Sequence, residues 1–326
     1  MRCHRAPKPG DCAFIGVLPL KLRSLFRTLV CGAGSLAFAA PAITAQNLTL
    51  EGQTGGFITP TAYVVYSAKG HFFSYPAVGY HFINVPKVIG NVHTFSIAES
   101  FGNRAEVGYT RSVHQFGEDP LLSSLWHYAG MNIFSGKVVA LRDGQGGPLT
   151  PGLAVGAVVR TGDKFVTGAL EGGTSYTNED IYVAVTKTWL HPPFPFLANI
   201  GWKATNASIY GLGGQATRFG GRLFGGLGIP IPGPFKTAIV PAAGFTQEPP
   251  QVKDLGRLFI DGKAHIPTTL DFAVRVTQRD NPHFAFDIGI GEVANTIGTT
   301  FIYPAGPVPV NLHARNIVGM GLSLRY

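Results

Sequence analysis

A chain of 326 residues with 45% hydrophobic and only 13% charged residues carries about half the charge of an ordinary soluble domain, so much of its surface faces something other than water. Its 43 glycines and 24 prolines, about a fifth of the chain, oppose long helices and favour strands and turns. The formal net charge is +8, but six basic residues (Arg2, Arg5, Lys8, Lys21, Arg23, Arg27) and one acidic residue, Asp11, fall in the first 45; without them the balance is +3, which gives no ground for a nucleic-acid partner.

Residues 1–45 are predicted to be a cleaved signal peptide. A basic start leads into an apolar stretch, 29–38, and then into small residues around Ala40-Pro41-Ala42 and Ile43-Thr44-Ala45. Cleavage is expected after Ala45 or Ala42. The apolar stretch is too short to serve comfortably as a retained anchor. Cys3, Cys12 and Cys31 all lie in this leader, and Thr28-Leu29-Val30 fits a lipid-attachment site at Cys31 badly. The mature chain therefore has no disulfide, no thiolate metal site and no cysteine nucleophile.

The segment before Tyr75 is broken by Gly-Gly and Thr-Pro steps and reads either as a first strand or as a plug folded into a lumen. Beyond it, alternation of period two recurs. Pro76, Val78, Tyr80 and Phe82 alternate with Ala77, Gly79 and His81. Ala105, Val107 and Tyr109 alternate with Glu106, Gly108 and Thr110, and Leu153, Val155, Ala157 and Val159 with Ala154, Gly156 and Arg160. Ile181, Val183 and Val185 follow, then Phe196, Ala198, Ile200, Trp202 and Ala204 against Asn199, Gly201, Lys203 and Thr205. Further strands are expected near Phe95, near Val138, and in 222–229 and 236–245. The pattern is clearest at the end. Leu270, Phe272, Val274 and Val276 oppose Asp271, Ala273, Arg275 and Thr277; Phe284, Phe286, Ile288 and Ile290 oppose His283, Ala285, Asp287 and Gly289. The last strand sets Val318, Met320, Leu322, Leu324 and Tyr326 against Gly319, Gly321, Ser323 and Arg325.

No mature segment offers about twenty consecutive apolar residues free of glycine or proline, so a spanning helix is not expected. The remaining spanning solution is a closed sheet, in which every backbone polar group finds a partner. The predicted fold is all-β: an antiparallel transmembrane barrel of about twelve strands (ten to fourteen) over residues 46–326, in the bacterial outer membrane. The large residues face lipid and the small or charged ones the lumen. The Asp280-Asn281-Pro282 turn is placed on the periplasmic side with both termini, and 292–309, rich in proline, is read as an external loop. Tyr63, Tyr66, Tyr80, Tyr109, Trp189, Trp202 and Tyr326 suit the two membrane interfaces.

Arg275 and Asp287 are expected to meet across their hairpin and to be joined by Asp271, His283 and Arg325, with Lys203 on the same lumenal side. Such a cluster either selects solutes or braces the interior. Metal and catalytic residues are assigned to none. His71, His81, His93, His114 and His127 lack metal-motif spacing, and neither G-x-S-x-G nor H-E-x-x-H occurs. Ser112, His114 and Glu118 are neighbours in sequence, but a catalytic set is defined by geometry in space. Gly211-Leu212-Gly213-Gly214 lies among strands and reads as flexible turn. No cofactor is implied.

The opening Leu50-Glu51-Gly52-Gln53-Thr54-Gly55-Gly56-Phe57-Ile58-Thr59-Pro60-Thr61-Ala62-Tyr63 resembles the start of a family of uncharacterised proteobacterial outer-membrane proteins, described as a domain of unknown function. Ala98-Glu99-Ser100-Phe101-Gly102-Asn103-Arg104-Ala105-Glu106-Val107-Gly108-Tyr109 is also similar to it. A related Thr-Gly…Pro-Thr-Ala opening occurs in barrels associated with exopolysaccharide export. The row Val318, Met320, Leu322, Leu324, Tyr326 resembles the aromatic-ended signal read by the outer-membrane insertion machinery. The resemblance implies an outer-membrane location and carries no catalytic residue. The expected role is a channel or transporter for small solutes, with outer-membrane lipid, the insertion machinery and small solutes as partners and no nucleic acid. The alternatives are a structural or accessory envelope barrel, for example one linked to polysaccharide export, and a barrel-embedded hydrolase.

Overall fold

The computed structural model describes residues 47–325 apart from 86–89, 116–129, 163–176, 191–194, 208–210, 212–214, 250–267, 280–282, 295–296, 303–305 and 312–313. All described residues belong to one compact unit, Phe38–Tyr326. The expected leader, the 280–282 turn, Glu118 and Tyr326 lie outside the described residues.

The alternating segments form strands β1 (Ala77–Val85), β2 (Gly90–Phe101), β3 (Ala105–Gln115), β4 (Gly130–Leu141), β5 (Gly152–Gly162), β6 (Thr177–Trp189), β7 (Phe196–Ala207) and β8 (Gln215–Gly228). After the two-residue β9 (Ile231–Pro232) come β10 (Thr237–Gln247), β11 (Thr268–Gln278) and β12 (Phe284–Ala294). β13 (Ile297–Ile302) and β14 (Gly306–Asn311) make a separate hairpin, and β15 (Ala314–Arg325) ends the chain's sheet. Leaving out β9, β13 and β14, the other twelve strands form one antiparallel ring: each pairs with its sequence neighbour, and β15 closes on β1 from Ala77↔Arg325 to Asn84↔Val318. The twelve-strand barrel expected from the alternation is the fold.

The stretch 292–309 is not all loop, because β13 and β14 pair from Ile297↔Asn311 to Ile302↔Gly306. Pro307 and Pro309 are compatible with this ribbon, because in a two-stranded sheet each strand is an edge and proline's missing donor can face outward.

The outer face is apolar. Phe95, Phe134, Ile181, Ile200, Phe272, Ile288, Ile290, Val318 and Met320 are all exposed on a closed sheet that has no unpaired edge. In water such a surface would aggregate; in lipid it is the favourable face. The protein is an outer-membrane β-barrel. β2, β4, β6, β8 and β11 end, with β15, at the rim where β1 starts, and the longest intervals in sequence between strands, 248–267 among them, separate strand ends at the other rim. This places the first rim in the periplasm. In the tightest of these turns, between β2 and β3, Gly102 and Asn103 take positive φ (58° and 53°), a region glycine and asparagine tolerate best.

The segment 47–66 is a plug and not a strand of the wall. It folds on itself through the bridges Leu48↔Thr54 and Gly55↔Pro60 and lies inside the ring. An eight-stranded barrel is just filled by its own side chains, and twelve strands enclose more than that. The inward wall is also rich in glycine, so a void would remain without the plug. Leu50 and Phe57 pack with Ile83, Val85, Ile317 and Phe224, and Leu48 and Val65 with Ala77 and Ala98. Most of the filling is nevertheless polar: Asn47, Thr49, Glu51, Gln53, Thr54, Thr59 and Thr61 are all buried.

Candidate functional site

The lumen is built from strand residues whose inward orientation follows from the period-two pleat. Three sets of charged side chains on the wall hold the plug. The first joins Arg160 on β5, Asp180 on β6, Lys203 on β7 and Glu248, just past β10. Arg160 is fully buried and donates from Nη2 to Asp180 Oδ2 at 2.7 Å and to Glu51 Oε2 of the plug at 2.8 Å; its Nε reaches Glu51 Oε1. Lys203 Nζ donates to Glu248 Oε1 at 2.8 Å and stands 3.8 Å from Asp180. Thr205 donates to Asp180. Glu248 lies outside the strands, and burial pushes its carboxyl up to about 7 against the opposing pull of Lys203.

The second set is Glu106 on β3 and Lys137 on β4, direct register partners, with Nζ 3.2 Å from Oε1. Glu106 accepts from the backbone N–H of Thr54 (2.9 Å) and of Val65 (2.8 Å) and from the Thr54 hydroxyl. Lys137 donates to the carbonyls of Thr54 (2.9 Å) and Thr61 (3.2 Å). One ion pair therefore ties together both arms of the plug.

The third set is Arg275 and Asp287, which face each other across β11 and β12 as the sequence pattern predicts. The guanidinium grips the carboxylate from Nε at 2.9 Å and Nη2 at 3.1 Å, and Nη1 donates to the Gly55 carbonyl at 3.1 Å. Asn47 Nδ2 donates to Asp287 Oδ2 at 2.8 Å. Asp271 lies on the same inward row, but its Oδ1 has no hydrogen-bond partner.

His283 and Arg325 do not join this cluster. They meet each other at the periplasmic rim, His283 Nδ1 to the Arg325 carbonyl at 3.1 Å, while Arg325 Nη1 donates to the Tyr66 carbonyl at 3.2 Å where the plug leaves the lumen. Arg325 ends β15 and His283 precedes β12, both at the barrel mouth and four residues along from the Asp287↔Gly321 register pair, too far for these side chains to reach Asp287. Lys203 is inward, yet it belongs to the first set. Val318, Met320 and Leu324 are exposed on the outer face, and Leu322 is half-buried there. The sequence reading passed over Glu51, Lys137 and Asp180 as site residues, and left Glu106 and Arg160 only as members of polar rows. For Glu106, Lys137, Arg160 and Asp180 the signal was a charge on the inward face of a strand; Glu51, on the plug, carried no such signal.

At the plug's exit, Tyr63 donates to Asp143 at 2.6 Å and meets Thr188 at 2.7 Å, while Ser67 N–H donates to Asn103 Oδ1 at 2.6 Å. On β3, Ser112 Oγ and His114 Nε2 are 2.8 Å apart and both residues are buried. Among the described residues no group of three metal-ligating side chains occurs.

The charge balance of the wall bears on what this arrangement can do. Lys137 is paired with Glu106, Arg275 with Asp287, Arg160 with Asp180 and Lys203 with Glu248. In these four pairs neither partner comes from the plug. The plug adds one carboxylate, Glu51, and otherwise presents neutral backbone and amide groups. Its departure would orphan none of these wall charges, the event that makes breaking a buried pair so costly.

The family described as "Protein of unknown function (DUF3034)" matches residues 44–222. No curated protein matches the sequence. Among solved structures the chain is similar to the KdgM porin, at 8% identity over 77% of this chain and 99% of that one, with a TM-score of 0.44. The KdgM porin in complex with disordered oligogalacturonate gives 7% identity, the same coverage and a TM-score of 0.43. The β domain of the Bordetella autotransporter BrkA gives 10% identity, 78% and 99% coverage and a TM-score of 0.39.

Proposed function

We propose that this chain, which belongs to the DUF3034 family, is an outer-membrane channel for small hydrophilic solutes that is closed by its own N-terminal segment. The observation that carries this reading is that four lumenal ion pairs are complete without the plug: the barrel grips the plug by polar contacts, yet Lys137–Glu106, Arg275–Asp287, Arg160–Asp180 and Lys203–Glu248 would stay paired in its absence. A polar, charge-lined interior suits hydrated solutes. With residues 1–45 removed, the segment would be covalently held only through its exit toward β1, so it could swing without being lost.

Removal of residues 1–45 belongs to the same reading. Asn47 is buried inside the lumen, and a leader still attached would have to thread out past a filled interior. The outer apolar rows meet lipid, and the final strand is the element the insertion machinery would read. The reading assigns no chemistry to Ser112 and His114. A filled lumen also suits an accessory envelope barrel that passes nothing, and one experiment separates the two.

An ideal Cβ at Gly79 lies 3.4 Å from Leu48 Cβ, close to the roughly 3.5–4.5 Å that a disulfide needs. In the mature double variant Leu48→Cys/Gly79→Cys, oxidation should lock the plug and abolish current across a planar bilayer. Reduction should restore openings that pass small sugars. A reduced, correctly inserted barrel that never conducts, even when the plug contacts are weakened as below, overturns the channel reading in favour of the accessory barrel.

A further inference from the structure

Leu50 and Glu51 of the plug meet two unlike parts of the lumen. Glu51 is gripped by the Arg160 guanidinium, whose Nη2 donates to Oε2 at 2.8 Å and whose Nε donates to Oε1. This is the two-pronged fit of a guanidinium edge to a carboxylate, the geometry in which arginine recognises that group. Leu50, the preceding residue, is buried in the apolar cluster that holds Ile83, Val85 and Ile317. Both contacts are made to side-chain groups that a small molecule can also carry.

The plug fits incompletely around its carboxylate. Arg160 Nη1 reaches Asn178 Oδ1 at 3.4 Å, but Asn178 Nδ2 is buried with no hydrogen-bond partner, and so is Tyr182 Oη. A void of about 20 Å³ remains against Glu51, Gln53, Asp180, Tyr182 and Lys203. Buried donors without acceptors cost free energy. Glu51 therefore satisfies the guanidinium and leaves its neighbours short of oxygen. The charges show that a carboxylate is tolerated here. With Glu51 docked, three carboxylates (Glu51, Asp180, Glu248) face two cations, Arg160 and Lys203. A monocarboxylate in place of Glu51 leaves that balance unchanged.

We propose that the Arg160 fork is a binding site for a small organic monocarboxylate with an apolar body, and that Leu50 and Glu51 stand in for this ligand while the barrel is closed. The inference rests on the channel reading and names its solute class, since a carboxylate is a hydrated anion. Ligand and Glu51 compete for the same two N–H groups. The ligand therefore binds only where the plug has left and, by binding, favours the open barrel. Asp180 stays on Nη2 throughout, so the guanidinium is never left unpaired between occupants.

The test measures binding by calorimetry on the mature chain refolded in detergent. Benzoate is the probe, and benzamide, its uncharged counterpart, is the control. Removing the Glu51 charge should make the displaced plug roughly thirty-fold more common, so benzoate should bind Glu51→Gln tighter than wild type by about that factor. Oxidised Leu48→Cys/Gly79→Cys should bind no benzoate, its reduced form should bind it, and neither form should bind benzamide. Arg160→Lys, added to Glu51→Gln, keeps a cation beside Asp180 but removes the fork, and should lose most of the gain. Benzoate binding that is equal in the oxidised and reduced forms, that benzamide matches, or that survives Arg160→Lys undiminished overturns the proposal. So does its absence from a folded Glu51→Gln barrel. Current is recorded separately. A barrel that binds benzoate as expected but never conducts keeps the site and loses the channel; a conducting barrel that binds no benzoate keeps the channel and loses the site.

Discussion

Replacing Glu51 by glutamine keeps the side chain's shape and removes its charge, and its effect can be worked from the contacts. Glu51 gives the plug its one carboxylate contact with the wall, through two bonds to the Arg160 guanidinium. Hydrogen bonds to charged groups contribute about 1.5–3 kcal/mol each. Glutamine retains one acceptor, so the loss should be about 2 kcal/mol. Arg160 keeps Asp180 at 2.7 Å, so the larger cost of an orphaned buried charge does not arise. Since each 1.4 kcal/mol is a factor of ten, the ratio of displaced to docked plug should rise roughly thirty-fold. Open probability in planar bilayers should rise in proportion, while the barrel's thermal unfolding should change little. Adding Leu48→Cys/Gly79→Cys and oxidising should reverse the gain. An inserted Glu51→Gln barrel with wild-type open probability would refute the claim that this contact holds the gate.

Gly201 makes room for the Phe224 ring, since an added Cβ would lie 2.1 Å from Phe224 Cζ. Gly201→Ala should therefore push that buried ring off its edge-on contact with Tyr182 and cost about 1–3 kcal/mol, read from urea unfolding in lipid vesicles. Ile288→Arg should cost about 2–4 kcal/mol in the same assay, because Ile288 faces outward at 52% exposure; a neutral outcome would contradict its assignment to the lipid face. The Glu248 carboxyl, raised from 4.5 to about 7, binds a proton more readily in the folded barrel than in the unfolded chain. Folding therefore gains from its protonation as pH falls from 7 toward 4.5 and loses that gain as pH rises through 7. Glu248→Gln should flatten the stability profile in that window, measured by the temperature at which the barrel band shifts on a gel.

The amino-acid order by itself settled the wall. Period-two alternation is a local property, written within ten residues, so the outward rows Phe272–Val274–Val276 and Ile288–Ile290 could be assigned without knowing any neighbour. A two-residue repeat also makes register strict, which is why Arg275 and Asp287 could be placed opposite each other from the hairpin alone. The contents of the lumen were decided elsewhere. Residues 47–66 have no periodicity to read, and their partners are remote: Asn47 meets Asp287 240 positions away, and Glu51 meets Arg160 109 positions away. Alternation says that Glu106, Lys137, Arg160 and Asp180 point inward, but not that they converge on a segment from the chain's own start. That outcome follows from closing twelve strands around more space than a glycine-rich wall can fill, and this only the assembled ring determines.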